Sequence, residues 1–431
     1  MLAAQAAVLA KFDFTAWLAG LTWLGWGLAA LQTTVAVGFI AVLRRSRRLI
    51  AADEACPSAL IVLCLRGADP FLRRCLLGLL TQDYPRFKIL IVVDHRDDPA
   101  WRQAEEIAGP ALGTRVEMQE LRERPETCSL KNAALMQAYR GLPAEVDVVA
   151  TIDADCTPHP TWLRELVEPL GDPRVGATTG NRWYMPDSAD WGGLVRYLWN
   201  AAAVVPMFWH KIAWGGSLAV RASFVRSSDY VERMSRTLCE DTMLADVLRR
   251  AGLKLRFVPS LIMVNRESCD LGGYFRFCRR QMLIVRYHKD VWLIWGHGLV
   301  SSAYFIAAAL TCLGGACRGY GAALAPAVVA FAAYLASMFG LLAPMEQAVR
   351  RIVRSRGEPV DWLSPDKLLR LPAALLLTQI VYGAIAWSLP LAKRVDWRGI
   401  RYTFVGRNAL RRENYEPYGG TRDDSSATHS L

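Results

Sequence analysis

Two aspartates one residue apart, Asp153 and Asp155, end the run Val146 to Pro158 (Val-Asp-Val-Val-Ala-Thr-Ile-Asp-Ala-Asp-Cys-Thr-Pro). Ahead of them Val148, Val149, Thr151 and Ile152 read as a strand buried on both faces. Carboxylates at i and i+2 on the loop leaving such a strand can converge on one divalent cation. Hard oxygen ligands suit Mg²⁺ or Mn²⁺, and Mg²⁺ commonly takes one or two carboxylates plus substrate phosphates. The place also fits, because ligands of open α/β sheets sit beyond the carboxyl ends of the strands. For an isolated Asp-x-Asp the competing reading is a polar turn.

The rest of the chain supplies further parts. Asp94 ends an earlier apolar run, Glu240-Asp241 opens a later helix, and Arg276-Phe277-Cys278-Arg279-Arg280-Gln281 precedes a run of apolar segments. Nucleotide-sugar transfer needs such a set. One carboxylate holds the base and ribose, and a metal on the acid pair neutralises the diphosphate leaving group. Another carboxylate takes the acceptor proton. Arginines clamp the diphosphate through forked hydrogen bonds. Bland readings stand beside these. Asp241 also reads as a first-turn carboxylate stabilised by the helix dipole. Lys131 and Asn132 either reach the nucleotide or are ordinary first-turn residues. The arginine cluster also reads as a juxtamembrane helix touching anionic lipid. Arg182, Trp183 and Gly216 are candidates for shaping an acceptor pocket, with core packing an equal account of Trp183. His95, His159, His210 and His288 have no metal-ligand spacing.

These residues need a scaffold. Ala59 to Leu65, Lys88 to Val93, Val116 to Leu121, the Val146 run and Leu253 to Val258 read as strands. Phe71 to Leu80, with Leu72, Leu76, Leu77 and Leu80 at helical spacing, and the stretch opening at Lys131 read as helices. Alternating strands and helices predict an α/β fold, a mostly parallel sheet with helices on both faces. Arg174 to Met234 is less regular. Within it Trp191 to Trp209 reads as an amphipathic helix lying in a membrane interface.

Composition adds a membrane. Of 431 residues, 53% are hydrophobic and 21% charged, which suggests membrane segments beside a soluble domain. The net charge of +11 comes with no nucleic-acid motif, so a membrane surface and phosphate-bearing substrates account for it. The ten cysteines lack paired spacing and read as free thiols in a reducing cytosol. Thr15 to Leu43 is long enough to span a bilayer, and the basic cluster Arg44 to Arg48 should hold the following domain in the cytosol. Val291 to Cys312, Gly321 to Ala343 and Leu371 to Leu391 are three more candidate spans. The expected organisation is an anchor over 1–48, a cytosolic domain over 49–290, membrane helices with a basic loop over 291–392, and a basic segment with a disordered tail over 393–431. One conflict remains. The Arg350 loop and the Lys393 tail both read as cytoplasmic, which a single span between them forbids. Either a segment is re-entrant or interfacial, or the tail crosses despite its charge.

In order along the chain, Leu65-Arg66-Gly67-Ala68-Asp69-Pro70, Gln82-Asp83-Tyr84-Pro85, Ile91-Val92-Val93-Asp94-His95, Asp97-Asp98-Pro99-Ala100, the Asp153 strand and Glu240-Asp241 resemble the processive and lipid-modifying family 2 type glycosyltransferases. The closest resemblance is to the ceramide glucosyltransferases, over roughly Leu60 to Arg286. It implies a cytosolic GT-A domain, a nucleotide-sugar donor such as UDP-glucose, Mg²⁺ or Mn²⁺, and inversion. Carried over by motif, Asp94 contacts the nucleotide, with Asp98 a substitute because Arg96 is inserted. Asp153 and Asp155 lie near the sugar diphosphate and metal, and Asp241 is the base. Lys131, Arg276, Arg279, Arg280 and Gln281 complete the expected donor contacts. The family's last motif is Gln/Arg-x-x-Arg-Trp; here Arg280 follows Arg279, so the aromatic is missing or displaced to Tyr287. The implied acceptor is a membrane lipid (ceramide-like, diacylglycerol or hopanoid) in a bacterial inner membrane, and a processive polysaccharide synthase is the alternative.

Overall fold

The computed structural model describes residues 13–288, 292–407 and 409–418. One sheet holds β1 (Ala59–Leu65), β2 (Phe87–Val93), β3 (Val116–Glu120), β4 (Val148–Ile152), β5 (Val175–Tyr184), β6 (Ser217–Arg221) and β7 (Lys254–Asn265). The order is β3-β2-β1-β4-β6-β5-β7. Every neighbouring pair is parallel except at β6, which opposes both β4 and β5. The helices are α1 (Phe14–Arg44), α2 (Leu72–Leu80), α3 (Pro99–Ala108), α4 (Leu130–Arg140), α5 (Trp162–Val167), α6 (Trp191–Trp209), α7 (Ala222–Ser227), α8 (Tyr230–Met234), α9 (Asp241–Arg250), α10 (Leu271–His288), α11 (Trp292–Cys317), α12 (Gly321–Arg354) and α13 (Pro365–Ser388). Strand periodicity assigns the two faces of the sheet. Leu60 and Val62 of β1 join the core with α4, while Ile61 and Leu63 join the core with α2 and α3. The expected mostly parallel α/β sheet is therefore present. Strands β5 and β6 fall where the sequence looked irregular, and β7 runs well past the expected Val258.

Four helices are long and apolar enough to cross a membrane: Phe14–Arg44, Ile294–Cys317, Gly321–Arg354 and Pro365–Leu391. The last differs in its surroundings. Near its start Lys367 Nζ donates to the carbonyls of Pro186 and Asp187 at 2.7 and 2.8 Å, and Arg370 to that of Ala189. At its far end the Leu389 carbonyl accepts from Arg286 of α10. Between these ends α13 lies against α6 and α10. Leu369, Leu376, Ile380 and Trp387, at heptad spacing, are its exposed apolar stripe.

Helix α6 is not the outermost apolar helix that its sequence suggested. It packs between β5, α10 and α13, and its Arg196 is fully buried against Glu267 at 2.7 Å. A cation so placed needs protein around it. The basic loop and the basic tail both meet the sheet domain. Arg356 donates to the Ser260 and Ile262 carbonyls of β7. The tail forms β8 (Arg394–Trp397), β9 (Ile400–Gly406) and β10 (Ala409–Arg412), an antiparallel sheet. Ile400, Tyr402, Phe404 and Leu410 are buried under it, and the Arg412 N–H donates to the Glu126 carbonyl at 2.7 Å. Residues 413–418, expected to be disordered, continue onto the sheet domain; 419–431 lie outside the described residues.

Candidate active site

Because six of the seven strands share a direction, their carboxyl ends deliver chemistry to one edge. That edge receives Arg66 and Asp69 after β1, Asp94 after β2, and Asp153 and Asp155 after β4. Arg182 and Tyr184 at the end of β5 and Glu267 after β7 come to the same edge. Lys131 of α4, Asp241 of α9, and Arg280 and Gln281 of α10 close in from the helices. All of these line one cavity of about 940 Å³.

At its centre Lys131 Nζ sits 2.7 Å from Asp153 Oδ1 and 3.1 Å from Glu240 Oε1. Burial alone would favour the neutral amine, but Asp153, Glu240 and Asp241 outweigh it and hold Lys131 charged. In spite of burial, Lys131 also keeps the Asp153 carboxyl below its usual range. Asp241, the first residue of α9, accepts the Gly215 N–H at 3.0 Å. Burial, and then the like charge of Glu240, push its carboxyl up to about 7. A carboxylate in that range suits a general base at neutral pH. Glycine at 215 is a packing requirement, since a Cβ there would collide with Glu240 Oε1.

Asp155 Oδ2 accepts from Asn265 Nδ2 at 3.1 Å and lies 3.8 Å from Arg182 Nη1. Burial, and then Asp153, push the Asp155 carboxyl up to about 6. Asp153 Oδ2 accepts no hydrogen bond among the described residues. No cluster of three or more His, Cys, Asp or Glu side chains among them makes a protein-only metal cage. The pair instead fits a divalent cation that takes its remaining ligands from water and phosphate.

The other expected residues divide. Asp94 is buried and lines the cavity, with its carboxylate held by Arg66 and by Arg124 Nε at 3.2 Å. Asp98 is turned away. Both its oxygens accept the Gly67 N–H and Oδ1 also takes the Ala100 N–H at 2.8 Å, so it caps α3 and pins the β1 loop. Gly67 has φ +73°, a conformation that favours glycine. Asn132 donates to the carbonyls of Met234 and Thr237 and braces the chain ahead of α9. Arg276 and Arg279 are absent from the cavity wall, whereas Arg280 and Gln281 are part of it. Gly216 abuts the acid pair, for a Cβ there would lie 3.0 Å from Asp153 Oδ2. Trp183 is a core residue, its Nε1 donating to Glu346 at 2.9 Å. Tyr287 is not the displaced aromatic: it stacks on Phe404 with centroids 4.5 Å apart. The ring 5.1 Å from the Arg280 guanidinium, besides Phe277 of its own helix, is Trp397.

Trp397, Arg398 and Tyr415 are the site residues that sequence reasoning missed. Arg398 Nη2 pairs with Asp69 Oδ2 at 2.6 Å, and the Tyr415 hydroxyl donates to Asp94 Oδ1 at 3.3 Å. Beyond this charged end the cavity continues between helices, lined by Leu28, Leu31 and Val35 of α1, Val300 of α11, Met338 and Leu341 of α12, and Leu375 and Tyr382 of α13.

Solved structures of similar shape are known. A mannosyltransferase from Pyrobaculum calidifontis in complex with GDP-Man and Mn2+ shares 18% identity over 86% of this chain and 99% of its own, with a TM-score of 0.45. Glucosyl-3-phosphoglycerate synthase from Mycobacterium tuberculosis, in complex with Mn2+, uridine diphosphate and glucosyl-3-phosphoglycerate, shares 18% identity over 54% of this chain and 80% of its own, with a TM-score of 0.36. No curated protein matches the chain. The profile of glycosyl transferase family 21 matches residues 27–408, nearly the whole chain, which therefore belongs to that glycosyltransferase family.

Proposed function

We propose that this chain is an integral membrane enzyme that moves a hexose, glucose in our reading, from a nucleotide-sugar such as UDP-glucose to the hydroxyl of a membrane lipid. The lipid is ceramide-like, diacylglycerol or a hopanoid, and the anomeric centre is inverted. One observation carries the proposal: a single cavity holds the strand-end carboxylates at one end and apolar walls from α1, α11, α12 and α13 at the other. Its volume of about 940 Å³ lies at the upper end of small-molecule sites.

Asp94 receives the base and ribose, and Lys131, Arg280 and Gln281 face the diphosphate. Mg²⁺ or Mn²⁺ held by Asp153 and Asp155 would supply positive charge at the leaving diphosphate. A lipid hydroxyl entering from the apolar end attacks the anomeric carbon as Asp241 takes its proton, and the diphosphate leaves from the opposite face. Lys131 holds Glu240 and Asp153 at fixed separation, so the base and the acid pair keep their spacing.

In the same reading α1, α11 and α12 cross the bilayer while α13 lies along its surface. That arrangement puts Arg44–Arg48, the Arg350 loop and the basic tail on one side, the cytosolic one. Protease added to sealed right-side-out vesicles should leave 59–286 intact, and cleavage there from outside overturns the orientation. Radiolabelled nucleotide-sugar fed to membranes holding the protein tests the reaction. Label in the lipid extract is expected. Label in polymer would replace this reading with a polysaccharide synthase, and no turnover of any donor would sink both.

A further inference from the structure

The C-terminal sheet meets the donor end of the cavity through a turn. Trp397 of β8 pairs with Ile400 of β9, so Arg398 and Gly399 form a two-residue hairpin turn with φ +51° and +76°. A non-glycine residue in the left-handed region is sterically costly, and here contacts on both sides of the residue hold it. The Arg398 carbonyl accepts from Arg66 Nε at 3.0 Å, and its guanidinium reaches Asp69. Both partners belong to the loop after β1, beside Asp94.

The same turn delivers Trp397 to Arg280. Among the described residues, the Arg280 side chain has no carboxylate partner and no hydrogen-bond acceptor. Its guanidinium is supported only by the faces of Phe277 and Trp397, at 5.8 and 5.1 Å. Arg398 has one side-chain bond, to Asp69, so its remaining N–H groups are unfilled as well. Arg182 adds a third guanidinium on the same cavity wall, with a buried Nε that lacks a partner. Burial first, and then repulsion from Arg182 and Arg398, pull the Arg280 guanidinium down to about 10. Guanidinium groups that face one another with empty donor positions mark a place for a multiply charged oxyanion.

We propose that the β8–β9 turn is part of the donor site: Trp397 orients the Arg280 guanidinium, and Arg398 shares with it the diphosphate of the nucleotide-sugar. Without donor, Asp69 holds Arg398 in place. The sheet behind the turn is anchored by Ile400, Tyr402 and Phe404, so changes at the tip leave that anchor intact.

This inference rests on the donor reading above, and the test separates the two. Calorimetry on the purified full chain with Mn²⁺ compares UDP with UMP and GDP with GMP. For whichever diphosphate the unaltered protein binds, Trp397→Ala and Arg398→Gln should each weaken binding about tenfold or more, while the matching monophosphate changes by less than about threefold. Trp397→Phe should recover most of the lost diphosphate affinity. Unchanged diphosphate affinity in both variants overturns the proposal. So does an equal fall for monophosphate and diphosphate, which would mean that the turn merely supports the β1 loop. If neither diphosphate binds the unaltered protein, the donor reading itself fails and this inference falls with it.

Discussion

Two buried carboxylates show how differently this molecule treats negative charge. Glu346 of α12 is saturated. Its Oε1 accepts from Trp362 Nε1 at 2.8 Å and Arg350 Nε at 2.9 Å, and its Oε2 from Trp183 Nε1 at 2.9 Å and the Tyr197 hydroxyl at 3.0 Å. Asp241 has one donor, the Gly215 N–H, and its sequence neighbour Glu240 has no hydrogen bond to either oxygen, only the Lys131 ion pair. A buried charge that is fully bonded has finished its work and fixes packing. One left short of partners is costly to keep, and it persists where chemistry uses it. The difference separates a clamp between α12, β5 and α6 from a site awaiting ligands.

The comparison breaks most severely if the crowded acids work without a cation. Chelation by EDTA should abolish turnover, and Mg²⁺ or Mn²⁺ should restore it. Full turnover in metal-free enzyme would show that Lys131 and the arginines balance the diphosphate alone. Asp241→Asn is nearly as decisive. It keeps shape and removes the basic oxygen, so turnover should fall by at least about a hundredfold, with donor affinity by calorimetry nearly unchanged. Near-normal turnover in that variant, or a dead Glu240→Gln beside it, assigns the base elsewhere.

Glu346→Gln tests the other half. The amide offers one acceptor oxygen where two were used and turns its NH₂ toward groups that are themselves donors. Each buried donor left unmet costs about 1–3 kcal/mol. The thermal midpoint in detergent should therefore drop clearly, while turnover per folded molecule well below that midpoint stays close to normal. If turnover falls and the midpoint does not, Glu346 belongs to the chemistry and the contrast with Asp241 is wrong.

What could be read from the sequence follows from range. Strands β1, β2 and β4 are continuous apolar runs, so their ends, and with them Asp94 and Asp153, were legible from local pattern alone. Strand β5 was not, because Thr178, Thr179 and Asn181 look like a loop. Their polarity is absorbed by partners far along the chain, as when Thr178 donates to the Leu166 carbonyl and Thr179 accepts the Trp214 N–H. Asp98 looked like a ligand because composition does not reveal which backbone N–H it will cap. Trp397 could not be placed beside Arg280, since that contact exists only after α11 to α13 bring the chain back. A signal was present in the Arg398-Gly399 turn followed by alternating Ile400, Tyr402 and Phe404, which marks a hairpin. Hydropathy identified α13 as a membrane-length helix, but only its bonds at both ends separate lying along a surface from crossing.

The smallest expected effect is thermodynamic and concerns Asp155. Its carboxyl is raised to about 6 by burial and by Asp153, so the folded protein holds this proton more tightly than the unfolded chain does. The resulting stability is fully present below pH 4, near the unfolded value, and is lost as pH rises through 6. At pH 8 the metal-free native state therefore carries a buried charge that unfolding would relieve. Asp155→Asn removes the charge and keeps an oxygen for Asn265, at the expense of the Arg182 attraction. The variant should gain on the order of 1–2 kcal/mol at pH 8 and little at pH 4, seen as a thermal midpoint a few degrees higher only at the alkaline end. Added Mn²⁺ should then raise the midpoint of the unaltered protein and barely move that of the variant, by mass action on a site the variant has lost. Equal midpoints at pH 8, with equal Mn²⁺ shifts, would place Asp155 with Glu346 among the satisfied carboxylates rather than with Asp241.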